Sequence, residues 1–141
     1  MPTGFVVNYS SGVINSGSTL DVGTFSHFGV LSPGGDTNVQ TTNISGDFKQ
    51  DWYTGAPSYV TTLASPTSAD KLVVSGDAAV KYNVVVNRPG AIGDTGQVAI
   101  LTAAGTLTNS ASVTQNGWGY SLTTDSAYDP STHMTVERLL L

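Results

Sequence analysis

The feature that most constrains this chain is its lack of helical periodicity. No window of eleven residues shows a sustained apolar stripe at i, i+3 and i+4 between Gly, Pro or Asn residues, and glutamate occurs once, at Glu137. Short runs of β-branched and aromatic residues recur instead, about ten residues apart, with turn-forming residues between them. This pattern predicts an all-β fold, a small barrel or sandwich of short antiparallel strands with little or no helix.

The clearest predicted strand covers residues 80–87, where Val80, Tyr82, Val84 and Val86 alternate with more polar residues. The Thr-rich run 38–44 is typical of an edge strand. Asn116 and Gly117 favour a tight hairpin turn, which would pair residues 118–124 with residues 111–115. The other predicted strands are 5–9, 19–22, 25–31, 59–63, 71–75, 97–102, 105–108 and 133–140.

One short segment occurs twice. Ile-Ser-Gly-Asp at 44–47 resembles Val-Ser-Gly-Asp at 74–77, and each follows an apolar run. Ordinary turn chemistry explains the likeness, because Gly and Asp both favour turns, and internal duplication is the alternative.

Polarity in this chain comes from hydroxyl groups rather than charges. Ser and Thr together number 35 of the 141 residues, whereas charged residues make up 11% of the chain. Extracellular, viral and fibrous β-proteins often have such surfaces. The net charge is −5 and the five basic residues are scattered, so neither nucleic acid nor an anionic membrane is an expected partner.

Residues for catalysis or metal binding are sparse. The chain has no cysteine, and its two histidines, His27 and His133, are far apart in sequence. Zinc sites draw mainly on His and Cys, and the aspartates lie mostly beside Gly or Pro, where turn geometry explains them. We therefore expect no enzyme activity, no cofactor and no metal.

Aromatic residues give the only sign of an exposed contact. Trp52 and Tyr53 lie in a polar, turn-rich segment, and Trp118 and Tyr120 follow the Asn-Gly turn. Packing in the core is the simplest explanation for all four. Trp52 and Tyr53 are also candidates for a protein interface, since both residue types are enriched in interface hot spots. A sugar-binding platform is the third interpretation.

The second half of the chain carries a recognisable succession of segments. A strand at 79–87 is followed by residues 96–108, which contain Ala-Ala-Gly at 103–105. Gly-Trp-Gly-Tyr-Ser-Leu at 117–122 comes next, and Met-Thr-Val-Glu-Arg-Leu-Leu-Leu closes the chain at 134–141. This succession, over residues 79–141, resembles phage head decoration proteins, also called capsid cement or auxiliary proteins.

The resemblance implies a non-enzymatic virion protein, made in the host cytoplasm, that binds the outside of an icosahedral capsid and stabilises it. Its partner would be the major capsid protein, and the chain itself would form a trimer or dimer. Residues 1–13 would be an extended arm, or the first strand of the domain. In the arm interpretation Phe5, Val7 and Tyr9 would add a strand to a neighbour.

The longer Ser- and Thr-rich first half departs from the decoration-protein pattern. Residues 14–141 are expected to form one β domain or two lobes, 14–70 and 71–141. A phage tail or fibre component shares this Gly-, Ser- and Thr-rich composition and is the first alternative. A carbohydrate-binding β module using the aromatic residues is the second.

Overall fold

The computed structural model describes twelve stretches of the chain, in which every regular element is a β-strand. The described residues are 5–8, 13–14, 19–20, 24–27, 29–35, 39–50, 58–65, 68–81, 83–88, 97–114, 120–130 and 134–141. In chain order the strands are β1 (Phe5–Asn8), β2 (Val13–Ile14), β3 (Thr19–Leu20), β4 (Thr24–His27), β5 (Val30–Leu31), β6 (Thr41–Ile44), β7 (Asp47–Gln50), β8 (Ser58–Ser65), β9 (Ser68–Ala69), β10 (Lys71–Val74), β11 (Ala78–Val80), β12 (Asn83–Asn87), β13 (Ala99–Ala103), β14 (Leu107–Asn109), β15 (Ser112–Thr114), β16 (Thr123–Asp129) and β17 (Met134–Leu140).

These strands form three sheets. Sheet A has the order β1-β4-β7-β11-β14, and sheet B has the order β15-β12-β8-β5-β2. Sheet C has the order β16-β17-β13-β10-β6-β3, and the short β9 pairs with β8 outside this path. Successive strands along the chain therefore visit sheets A, B and C in turn, so that each circuit stacks on the previous one as a coil.

All pairings between coils are parallel. The first coil contains β1, β2 and β3, the second β4, β5 and β6, the third β7, β8 and β10, and the fourth β11, β12 and β13; β14 and β15 begin a fifth. This arrangement is a parallel β-solenoid, in which each coil contacts mainly its neighbours. The predicted all-β class is confirmed, but the strands of successive coils pair in parallel rather than antiparallel, and the barrel or sandwich is not confirmed.

The core is built from columns of equivalent residues in successive coils. Ile44, Val74 and Ala103 are aligned in sheet C and are all buried. In sheet A, Phe48 is aligned with Ala78. A single coil cannot enclose its own apolar side chains, because they would be exposed to solvent above and below the coil. Stacking of several coils therefore buries them.

The chain turns from one sheet to the next within a segment that the sequence predicted to be one strand. The predicted strand 80–87 is two strands, β11 and β12, which lie in different sheets with Lys81 between them. Val84 and Val86 are buried, as the alternation predicted. The Thr-rich β6 is not an edge strand, because it pairs with β10 on one side and β3 on the other. Its Thr42 is completely buried.

The C-terminal end of the chain leaves the parallel pattern. β17 pairs antiparallel with β13, in the place where a fifth coil would add its strand to sheet C, and β16 pairs antiparallel with β17. Residues 115–119 lie outside the described chain, and the described parts of the predicted hairpin between 111–115 and 118–124 do not pair with each other. β15 pairs parallel with β12 in sheet B, whereas Thr123 and Thr124 pair with β17 in sheet C. The turn that forms the hairpin follows Asp129, at the predicted Asp-Pro break.

Candidate functional site

The predicted interface residues are only partly within the described chain. Phe5 and Val7 lie in β1, which pairs with β4 over its whole length. Their register partners are Thr24 and Ser26. Tyr9, Trp52 and Tyr53 lie outside the described residues. The structure thus puts the first two on the outermost described strand of sheet A.

The residues that supported the alternative functions do not form a common site. Trp118 and His133 lie outside the described residues, and His27 ends β4 beside Gln50. Tyr120 is half-buried and packs against the core, as the simplest interpretation predicted. Within the described chain, no three His, Cys, Asp or Glu side chains are grouped closely enough to hold a metal ion. No helix there has the length and apolar character needed to cross a membrane.

The repeated Gly-Asp turn is the most regular feature outside the core. Gly76 N–H donates to Gly46 O at 2.9 Å, and Gly105 N–H donates to Gly76 O at 2.9 Å. Asp77 N–H donates to the Asp47 carboxylate at 2.8 Å, and Thr106 N–H donates to the Asp77 carboxylate at 2.7 Å. Each turn thereby caps the turn of the next coil. The two Gly-Asp segments are structural equivalents, and residues 103–106 are the third member of the series.

The glycines of this ladder are required by its close packing. A Cβ on Gly76 would overlap the Asp47 carboxylate and lie 2.9 Å from Gly46 O. A Cβ on Gly105 would meet Asp77 and Gly76 in the same way. Neighbouring coils therefore approach so closely at these turns that only glycine, which has no Cβ, can be accommodated.

An open groove of about 400 Å³ runs beside this ladder on the outer face of sheet A. Its lining includes Asp47, Lys49, Asp77, Ala79 and Thr108. The ladder carboxylates already accept backbone N–H groups, and most of the lining side chains are small. Ligand pockets are usually apolar, concave and enclosed, so this groove is better explained as the surface of the stacked turns.

A second polar cluster lies inside the stack, around the completely buried Asp70. Its Oδ1 accepts Gln40 N–H at 2.7 Å and its Oδ2 accepts Thr62 N–H at 3.0 Å. The Asp70 backbone carbonyl accepts the Thr61 hydroxyl at 3.1 Å. One residue thus connects the segment before β6, in the second coil, to β8 in the third.

Burial raises the pKa of Asp70, and the N–H groups of Thr62, Gln40 and Gly34 together with the Thr62 hydroxyl oppose that rise. Burial, followed by the Asp70 charge, also raises the pKa of Tyr59. The Tyr59 hydroxyl donates to Ile100 O at 2.9 Å, which joins sheet B to sheet C through the core. These are the bonds of a structural network, since every polar partner is a backbone group or a neighbouring hydroxyl.

Gln50 makes a comparable connection at the corner between sheets A and B. It is completely buried, and its Oε1 accepts Lys81 N–H at 3.2 Å. Its Nε2 donates to Asn83 O at 3.4 Å. Gln50 thereby satisfies the backbone at the corner where the next coil turns from β11 to β12.

The C-terminal hairpin is held by a paired charge. Arg138 Nε and Nη2 donate to the two oxygens of Asp125 at 2.7 and 2.6 Å, and the two residues are directly opposite in register. The Arg138 hydrogen bonds lower the pKa of Asp125. Beside this pair, Ser126 donates to Glu137 at 2.9 Å. A bidentate pair of this kind fixes the register of the two strands.

Sequence reasoning missed Asp70, Gln50 and the Asp125–Arg138 pair. Repetition of the Gly-Asp turn was the signal for the ladder, whereas nothing local distinguishes Asp70 from the other aspartates. Comparison with known proteins adds no relative: no protein-family model matches the chain, and no curated protein matches its sequence.

Proposed function

We propose that this chain is a non-enzymatic structural segment of an extended surface fibre or spike, with the solenoid as the stem and the C-terminal hairpin as the last two strands of sheet C. The proposal corresponds to the tail or fibre alternative of the sequence analysis. It covers viral fibres and cellular surface filaments, because both need the same mechanical element. The observation that carries it is the repetition of one parallel register from coil to coil in three sheets.

Stacking of this kind supports a stem function for a physical reason. Each coil adds a full set of strand hydrogen bonds and another layer of buried side chains, so length is gained without a larger globular core. The Gly-Asp ladder and the Asp70 network add connections between coils at the corners. Such an element resists separation of its coils while it presents a long outer surface.

The outer surface suits the same function. Exposed positions on the strands are mostly hydroxyl or amide residues, among them Thr41, Asn43, Thr108, Ser112 and Thr124. A neutral, hydroxyl-rich surface remains hydrated without strong charge, which is typical of fibrous β-proteins.

Capsid decoration is supported less well than a fibre. The decoration interpretation allowed residues 1–13 to be an extended arm or the first strand of the domain, and Phe5–Asn8 is a strand of sheet A paired with Thr24–His27. It also relied on a small antiparallel barrel, and the coils pair in parallel. The fibre proposal needs neither feature.

Immunogold electron microscopy tests the proposal directly. Antibodies raised against the folded chain are applied to intact virions or cells of its source, with antibody pre-absorbed on the purified chain as the control. Label on projecting fibres or spikes, at constant distance from the shell or membrane, is the expected result. Label spread over a capsid shell would instead establish decoration, and label confined to the cell interior would exclude both.

A further inference from the structure

β16 is the outermost strand of sheet C. It is seven residues long, and it pairs with β17 through seven consecutive residues without a bulge. No other strand of the described chain pairs with its outer side. The remaining edge strands of the three sheets are two to four residues long, so among the described residues β16 presents the longest row of edge backbone groups.

Natural sheet edges usually carry features that prevent pairing with another chain, such as lysine, proline, a bulge, an inward charge or a very short strand. β16 has none of the first three within Thr123–Asp129. Its Asp125 side chain is paired with Arg138 of β17 in the same chain. Thr124, Ser126 and Tyr128 are exposed, Tyr128 by 63%.

We propose that β16 is a strand-addition site and that its partner is β16 of a second copy of this chain, antiparallel and related by a two-fold axis at Ser126. The two C sheets would then continue into one another across the axis. A two-fold interface of this kind is isologous, since the same strand serves both sides. The inference depends only on β16 and not on the proposed fibre function.

The side chains of β16 fit this register. With Ser126 opposite its own copy, Asp125 lies opposite Ala127 and Thr124 lies opposite Tyr128 of the other chain. A pair of Thr and Tyr across strands is favourable, and no like charges are directly opposed. All seven residues of β16 are paired.

The neighbouring registers are disfavoured by charge. A two-fold axis at Asp125 would place that carboxylate opposite its own copy, and an axis at Ala127 would place Asp125 opposite Asp129 twice. Like charges directly opposite one another destabilise a strand pair. Axes further along leave part of the strand without a partner, so the charge pattern selects Ser126.

Single cysteines test the register, because the chain has no cysteine of its own. We expect Ser126→Cys to form a disulfide-linked dimer under mild oxidation, since directly opposite Cβ atoms lie about 4.5–5.5 Å apart. Thr124→Cys alone should not cross-link, because the two copies are four residues apart along the strand, roughly 13 Å. A mixture of Thr124→Cys and Tyr128→Cys chains should cross-link as a heterodimer. Ser75→Cys, in an exposed turn, is the control for random collision.

Sedimentation velocity tests the association itself. The parent chain should form a dimer. Ser126→Lys should weaken that dimer about tenfold or more, because two lysines would face each other across the axis. Within each chain the new side chain lies beside Glu137, so the hairpin itself should be kept. Asn43→Lys, on the interior strand β6, should leave the dimer unchanged. A parent chain that stays monomeric, or Ser126→Cys that cross-links no more than Ser75→Cys, would overturn the proposal. So would Ser126→Lys that dimerises like the parent.

Discussion

Replacement of Asp70 is the sharpest test of how the coils are joined. Its two carboxylate oxygens accept backbone N–H groups, among them those of Gln40 and Thr62, in a position with no solvent exposure. Each buried N–H left without an acceptor costs ~1–3 kcal/mol, so Asp70→Ala, which removes both acceptors, should cost ~2–6 kcal/mol in the free energy of unfolding. Asp70→Asn keeps one oxygen and should cost about half as much.

The pH dependence of this cost follows from the raised pKa of Asp70. Between the ordinary carboxyl pKa of about 3.9 and the higher folded value, the folded state holds a proton that the unfolded state has lost. The contribution of Asp70 is therefore fully present below pH 3.9 and is lost as the pH rises through the folded pKa. The difference in unfolding free energy between the parent and Asp70→Asn should be larger at pH 3 than at pH 7.

Urea unfolding followed by circular dichroism at the two pH values measures both effects. Asp77→Asn is the matched control, because its exposed carboxylate accepts one backbone N–H, from Thr106, and should cost about 1 kcal/mol or less. Equal losses for Asp70→Asn and Asp77→Asn would refute the argument that burial sets the cost. A parent–variant difference that grows from pH 3 to pH 7 would refute the sign of the pKa argument.

Three further substitutions test other parts of the stack. Gly76→Ala should destabilise the chain by about 1–3 kcal/mol in urea unfolding, because its Cβ displaces the Asp47 carboxylate and crowds the backbone; an unchanged midpoint would contradict the ladder. Phe48→Ala should cost ~3–5 kcal/mol in the same assay, since Phe48 is completely enclosed in the core, and a loss below 1 kcal/mol would mean that the coil interior is not packed as described. Asp125→Asn should loosen the C-terminal hairpin, which would be measured as faster amide hydrogen exchange in β16. The parent should show the same loosening as the pH falls through the lowered pKa of Asp125. Exchange that is fast in both proteins at neutral pH would show that the ion pair does not hold the strands together.

The sequence predicted strands well and their pairing badly, for one physical reason. Side chains alternate with period two in both parallel and antiparallel strands, so Val84 and Val86 point inward either way. Alternation therefore identifies buried faces but carries no information on strand direction. The Asn-Gly pair at 116–117 then suggested a local hairpin, although β15 pairs instead with β12, almost thirty residues earlier.

The candidate interface was predicted from residue type alone, which is the weakest basis among the sequence predictions. Trp52 and Tyr53 were chosen because aromatics are frequent in interfaces, yet they lie outside the described residues. Asp70, by contrast, looks like any other aspartate in a polar loop. Its environment is created by Gln40 and Thr62, thirty and eight residues away in sequence, so only the folded stack makes it special.

The signal that could have revealed the solenoid was repetition at a fixed position. Gly46, Gly76 and Gly105 recur at intervals of about thirty residues, each after a buried strand of sheet C, and the structure joins them by two hydrogen bonds. The third turn escaped notice because Thr106 replaces the aspartate. The side chains of Asp47 and Asp77 each accept an N–H from the next turn of the ladder. Thr106 is the last described member of the ladder, and its own N–H donates to Asp77. The series of carboxylate caps therefore ends at Thr106, although β14 and β15 still pair in parallel with β11 and β12 beyond it. Only sheet C changes direction after this turn, because its next strand is the antiparallel β17.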